Sequence, residues 1–196
     1  MPTEEQLREI HRLALLGGEA AIAQDVTSRL AGPWLQVSRF RAVRDLSRQT
    51  LQLGATPTTL TYLARALRVL GDGHEALRLY REALHMYDEA GDRAGPATTL
   101  SNIGVVYASL GQRTEALTYY AKALPIREEI GDRAGESVTR YNIAMLYRAQ
   151  GQLQEAVHAL RQVVALDEQV HSPDLEADRA MLAQVEAELD ANPTRM

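Results

Sequence analysis

Gly91-Asp92-Arg93-Ala94-Gly95 returns, residue for residue, as Gly131-Asp132-Arg133-Ala134-Gly135, an interval of 40 residues. The interval is general. Gly71, Gly111 and Gly151 keep it, and the next step from Gly131 lands on His171. Glu75-Ala76-Leu77 returns as Glu115-Ala116-Leu117 and then as Glu155-Ala156-Val157. A fixed period of this length marks a stack of similar supersecondary units, each burying its apolar face on the next. Between the glycines the apolar residues recur at three and four, the spacing of one helix face. Leu100, Ile103, Tyr107 and Leu110 form one stripe; Ala116, Leu117, Tyr120, Ala123 and Leu124 form the next. Each unit therefore reads as two helices. Gly111 falls where the first must end, a place that favours a left-handed residue. Asp92 and Asp132 precede the following helix, where a short side-chain acceptor caps free N–H groups.

The same positions carry a family resemblance. Leu100, Ile103-Gly104, Tyr107, Gly111, Ala116, Tyr120 and Ala123 stand at the spacings of a tetratricopeptide repeat. The third copy reads Arg140, Ile143-Ala144, Tyr147, Gly151, Ala156, Leu160 and Val163, and the first Leu60, Leu63-Ala64, Leu67, Gly71, Ala76, Tyr80 and Ala83. Helices cross closely only over small side chains, so Gly104 and Ala116 are expected to be sterically fixed. At 40 residues rather than the usual 34, the repeat resembles those of kinesin light chains, polarity adaptors and bacterial signalling proteins. The resemblance covers residues 55–171. It implies an all-α fold, a right-handed α-solenoid of antiparallel helix pairs with three clear repeats (55–91, 92–131 and 132–171).

The flanks are less regular. Thr3-Glu4-Glu5-Gln6 is a capping-box pattern opening a helix over 3–16. Residues 20–53 read as a degenerate repeat. Its first helix is expected to break at Gly32-Pro33, Trp34 to act as a buried anchor, and Ser38 to cap the second helix. This N-terminal segment spans 1–54. A capping helix is expected over 172–190, with Leu175, Met181, Leu182, Val185 and Leu189 inward and Glu176, Asp178, Glu186 and Glu188 toward water; residues 191–196 form a flexible tail. Pro125 lies inside a helix and is expected to bend it without breaking it.

The resemblance also places a binding groove. In such solenoids the first helix of each repeat lines the concave side. The implied groove residues are Tyr62, Arg65 and Arg68 in the first repeat, Asn102 and Val105 in the second, and Tyr141, Asn142, Met145 and Arg148 in the third. Asn102 and Asn142 are 40 residues apart. A side-chain amide both donates and accepts, so it can hold a peptide unit without reading sequence; the resembling families use an asparagine ladder in this way. Tyr62 interrupts it in the first repeat. Arg65, Arg68 and Arg148 favour an acidic segment as ligand. The carboxylate clamp of Hsp70 and Hsp90 co-chaperones is not expected, because Ser101 and Val105, or Tyr141 and Met145, stand where it needs Lys and Asn.

Composition sets the remaining bounds. The hydrophobic content of 45% and charged content of 24% are those of a soluble folded protein. A net charge of -5 argues against nucleic acid. No run approaches a membrane span, and Met1 to Glu5 has no apolar stretch behind it to suggest a secretory signal. There is no Cys. His11, His74, His85, His158 and His171 show no metal-ligand spacing, and no phosphate loop or nucleophile elbow is present. The expectation is a cytoplasmic bacterial scaffold or adaptor, without cofactor or catalysis, binding a protein or peptide. Two alternatives are a regulatory sensor of a short signalling peptide and a self-assembling homodimeric module.

Overall fold

Apolar residues at three and four, with glycine punctuation, give helices throughout. The computed structural model describes residues 2–92 and 94–191. Among these it holds ten helices: α1 (Glu4–Gly17), α2 (Ala20–Gln36), α3 (Phe40–Leu51), α4 (Pro57–Leu70), α5 (Gly73–Ala90), α6 (Ala94–Ser109), α7 (Arg113–Ile130), α8 (Arg133–Ala149), α9 (Leu153–Val170) and α10 (Leu175–Ala191). No strand occurs among the described residues. The expected tail over 192–196 lies outside them, and Ala191 still belongs to α10. Two compact units result, residues 1–102 and 103–196, with the division inside α6.

In the first unit, consecutive helices α1 to α5 pack on one another, and α2 also meets α4. The core gathers Val26, Leu30, Trp34, Leu35, Val43 and Leu46. The Thr3–Gln6 capping box forms in both directions. Two local expectations fail here. α2 runs straight through Gly32-Pro33, and Ser38 takes a left-handed φ of 60° instead of capping α3. Gly32 has no Cβ to meet the proline ring, which removes the usual clash at the preceding residue. Carrying the helix on buries Trp34 and Leu35, an outcome worth ~1.5–3 kcal/mol per large side chain. Arg8 and Arg39 cover the indole from 4.8 and 5.3 Å. Beneath α1 a polar seam is buried: His11 Nε2 bonds Thr50 Oγ1 at 2.8 Å, and Thr50 Oγ1 meets Thr27 Oγ1 at 2.7 Å.

In the second unit, α7 packs on α8, α8 on α9 and α9 on α10. Tyr120 is buried against Gly104; a Cβ on that glycine would sit 2.5 Å from the ring. Ala116 is fully buried beside it. In the next repeat Ala144 and Leu160 occupy the equivalent places in one core cluster. α7 continues unbroken past Pro125. The helix ends repeat as the glycines demand, with φ of 76° at Gly111 and 75° at Gly151. At His171, where the period supplies no glycine, the backbone still turns left-handed with φ 52°. The geometry of the stop is set by packing, and His171 accepts the strain.

Candidate functional site

The nine expected groove residues sit on three helices. Tyr62, Arg65 and Arg68 follow one another at intervals of three along α4, and Asn102 lies on α6; these four belong to the first unit. Val105 on α6 and Tyr141, Asn142, Met145 and Arg148 on α8 belong to the second. All nine are half-buried, neither core nor fully solvated. That is the burial of a face partly walled by neighbouring helices.

Their engagement differs. Neither Asn102 nor Asn142 gives its side-chain amide to another described residue, so both retain a donor and an acceptor at half-burial. Tyr62 packs on the core of the first unit. Arg65 and Arg68 form no ion pair among the described residues and lie near the buried Tyr80 hydroxyl, whose pKa burial pushes up. In the second unit α10 comes down onto α8. Tyr141 and Met145 of α8 and Met181, Leu182 and Leu189 of that helix pack against the same buried core cluster. Arg148 grips Glu188 through both guanidinium arms, Nε to Oε2 at 2.9 Å. This hydrogen bonding holds the Glu188 carboxyl below its usual range. Arg140, also on α8, is divided between Glu128 and Glu136. The cationic charge expected on α8 is thus already matched inside the chain, while that on α4 is not.

Sequence reasoning missed a cluster at the start of α10. Asp178, expected to face water, is half-buried and lies against Asp167 of α9. Burial, then the Asp167 carboxyl beside it, pushes its pKa up to about 7. One signal was available: Asp167 falls on the stripe of Leu160 and Val163, so a carboxylate was being carried on an apolar face. Both aspartates line a cleft of about 450 Å³ whose wall includes the groove-face residues Val138 and Tyr141. A second cleft, about 680 Å³, opens between α7, α8 and α9, lined by Leu117, Ile143, Tyr147 and His158. Among the described residues no group of three His, Asp or Glu is arranged to hold a metal, and no helix is long and apolar enough to cross a membrane.

Paired helices with small residues at the crossings, left-handed stops at a period of 40, and partly walled faces on the first helices define an α-helical repeat protein. The sequence matches the tetratricopeptide repeat family over residues 55–129 and 95–169, and the chain belongs to that family. No curated protein matches it as a relative. Among solved structures it is similar to BtubC (BKLC) from P. vanneervenii, with 18% identity, 94% of this chain and 88% of that one covered, and a TM-score of 0.65. It is also similar to the nearly identical TPR-like repeats of a Podosopora anserina protein described as a kinesin light chain, with 21% identity, 100% and 90% covered, and a TM-score of 0.64. Aspartyl phosphate phosphatase F from Bacillus subtilis matches at 14% identity with a TM-score of 0.71, over 88% of this chain and 50% of the phosphatase. At these identities the likeness is one of fold.

Proposed function

We propose that the protein is an interaction scaffold that holds an extended polypeptide, each unit presenting a binding face of its own. In the first unit the face is built from Tyr62, Arg65, Arg68 and Asn102; in the second, from Val105, Tyr141, Asn142, Met145 and Arg148. The observation that carries this reading is the pair of half-buried amides, Asn102 and Asn142, at equivalent repeat positions with no side-chain partner among the described residues. A half-buried amide without a partner gains most from a peptide bond laid across it. Membership of the tetratricopeptide repeat family supports the same reading. An acidic stretch suits the first unit, where Arg65 and Arg68 form no ion pair among the described residues. On α8 the pairing of Arg148 with Glu188 removes that preference.

The test is capture of partners by the wild type and by Asn102→Ala/Asn142→Ala, after melting shows both equally folded. Loss of the wild-type partners in the double variant is expected. Retention of the same partners sinks the reading and moves attention to the α7–α9 cleft.

A regulatory role is the second reading, favoured by the similarity in fold to aspartyl phosphate phosphatase F over half of that protein. A library of short peptides separates the two: a sensor is stabilised by one or a few of them, a scaffold by many or none.

A further inference from the structure

The cleft at the start of α10 has an electrostatic composition that the chain does not complete. Asp167 is 3% exposed. Its Oδ1 accepts from Ser137 Oγ at 2.6 Å, whereas its Oδ2 is also buried and receives no donor among the described residues. Facing it is the Asp178 carboxyl, and the charges acting on Asp178 are Asp167 and Asp174, both negative. The nearby cations are committed elsewhere: Arg179 to Glu168 and Glu176, Arg133 to Glu136. Three carboxyl groups therefore converge on one cleft with no counter-charge. A buried acceptor without a donor costs about 1–3 kcal/mol. A proton held between Asp167 and Asp178 satisfies Oδ2 when the cleft is empty, which agrees with the raised pKa of Asp178.

The walls point to what replaces that proton. Val138 is 59% exposed at the cleft, with Tyr141, Ala134, Pro173 and Ala177 around it. An apolar wall leading to a carboxylate floor suits a long aliphatic stem with a cationic head. We infer that this cleft receives a lysine or arginine side chain of the bound polypeptide, its methylenes along Val138 and Tyr141 and its charge on Asp167, Asp174 and Asp178. The inference rests on the polypeptide-binding reading above, because Val138 and Tyr141 belong to the α8 face. It adds that the partner of the second unit is basic where it passes α10. Binding displaces a proton, so it strengthens as pH rises.

The test uses the isotope-labelled full chain at pH 8 and pH 6, titrated with N-acetyl-lysine methylamide, N-acetyl-arginine methylamide and, as the neutral stem, N-acetyl-norleucine methylamide. Saturable amide shifts at Val138, Asp167 and 174–178 are expected with lysine or arginine and not with norleucine; the two cationic arms tell ammonium from guanidinium. Affinity should fall about ten-fold from pH 8 to pH 6 as the Asp178 proton competes. It should fall by a similar factor, about ten-fold, in Asp178→Asn, which keeps the shape and removes the charge. Asp174→Asn, on the exposed rim, should weaken binding several-fold and covers the case in which Asp178→Asn misfolds. Equal responses to lysine and norleucine, or a lysine response unchanged in both variants, overturn the inference. A second arm keeps this apart from the parent reading, using random decamers with the central residue fixed as Lys, Arg, norleucine or Glu. Decamers that bind regardless of that residue leave the polypeptide reading standing and overturn the basic-residue inference. Decamers that never bind, alongside saturable lysine shifts, reject the polypeptide reading and keep the cation cleft.

Discussion

The two copies of Gly-Asp-Arg-Ala-Gly open α6 and α8, yet they are closed by different chemistry. Before the first copy stands Tyr87, whose half-exposed ring lies over Gly95. At the same distance before the second stands Arg127, buried and ion-paired to Asp132, with its guanidinium over Gly135. Asp92 caps its helix by accepting from the Ala94 and Gly95 N–H groups and has that one role. Asp132 accepts from Gly135 N–H at 2.9 Å and also neutralises Arg127. Identical pentapeptides thus become a ring-covered turn in the first unit and a charge-locked turn in the second. The contrast extends to the polar groups each unit buries. The first buries only neutral ones among its described residues, His11, Thr27 and Thr50 with them; the second buries charged ones as well, Arg127, Glu136 and Asp167, beside the neutral Ser137 and Thr139. A repeat specifies the backbone, and the residue eight positions back decides the electrostatics.

The largest effect expected from this contrast is on the two aspartates. Asp132→Ala should destabilise the protein by about 3 kcal/mol, the low end for breaking a buried pair because Asp132 stays in reach of water. Asp92→Ala should cost only ~1 kcal/mol, the worth of a cap. Urea melts of the two variants check this, and equal losses would erase the contrast. Next come the glycines. In Gly135→Ala the new methyl meets the Arg127–Asp132 pair, a cost of about 1–3 kcal/mol for overpacking. In Gly95→Ala it meets the Tyr87 ring, which is free to swing toward solvent, so the loss should be under ~1 kcal/mol. Thermal melts rank the pair.

The smallest effects are in pH, and they run in opposite directions. Burial lowers the His11 pKa below 6.5, so the folded first unit binds fewer protons than its unfolded chain. The contribution of His11 to stability is fully present above pH 6.5 and is lost as pH falls below that. Asp178 is raised from 3.8 to about 7, so the folded second unit binds more protons than its unfolded chain. The contribution of this one group to stability is fully present below pH 3.8 and is lost as pH rises toward about 7. Hydrogen exchange, followed separately in α1–α3 and α8–α10, should show protection falling in the first and rising in the second between pH 8 and pH 5. Parallel trends would remove the distinction. Asp178→Asn should flatten the second trend and raise the melting temperature at pH 8 by about 2–4 °C.

The helical repeat was legible because its signals are local and redundant: Gly71, Gly111 and Gly151 in phase, and the Glu-Ala-Leu triplets in phase with them. What escaped depended on tertiary weight. Gly32-Pro33 carries a strong local stop signal, and only the burial of Trp34 and Leu35 overrides it. The nine candidate groove residues were placed by register, and register gives a face without saying what covers it. That Glu188 would reach Arg148, or Asp178 reach Asp167, requires knowing how α10 lies on α8 and α9, and no spacing within either helix encodes that.

The contact between Gly104 and Tyr120 also shows that one helix crossing can be closed by more than one pair of side chains. An alanine at 104 meets the ring at 2.5 Å with the ring where it stands, so the ring or the helix has to shift to take it. The first repeat nevertheless carries that combination, Ala64 with Tyr80, both fully buried, and the third carries Ala144 with Leu160. Three repeats of a single chain thus hold three solutions to the same crossing, and no single order of substitution is imposed.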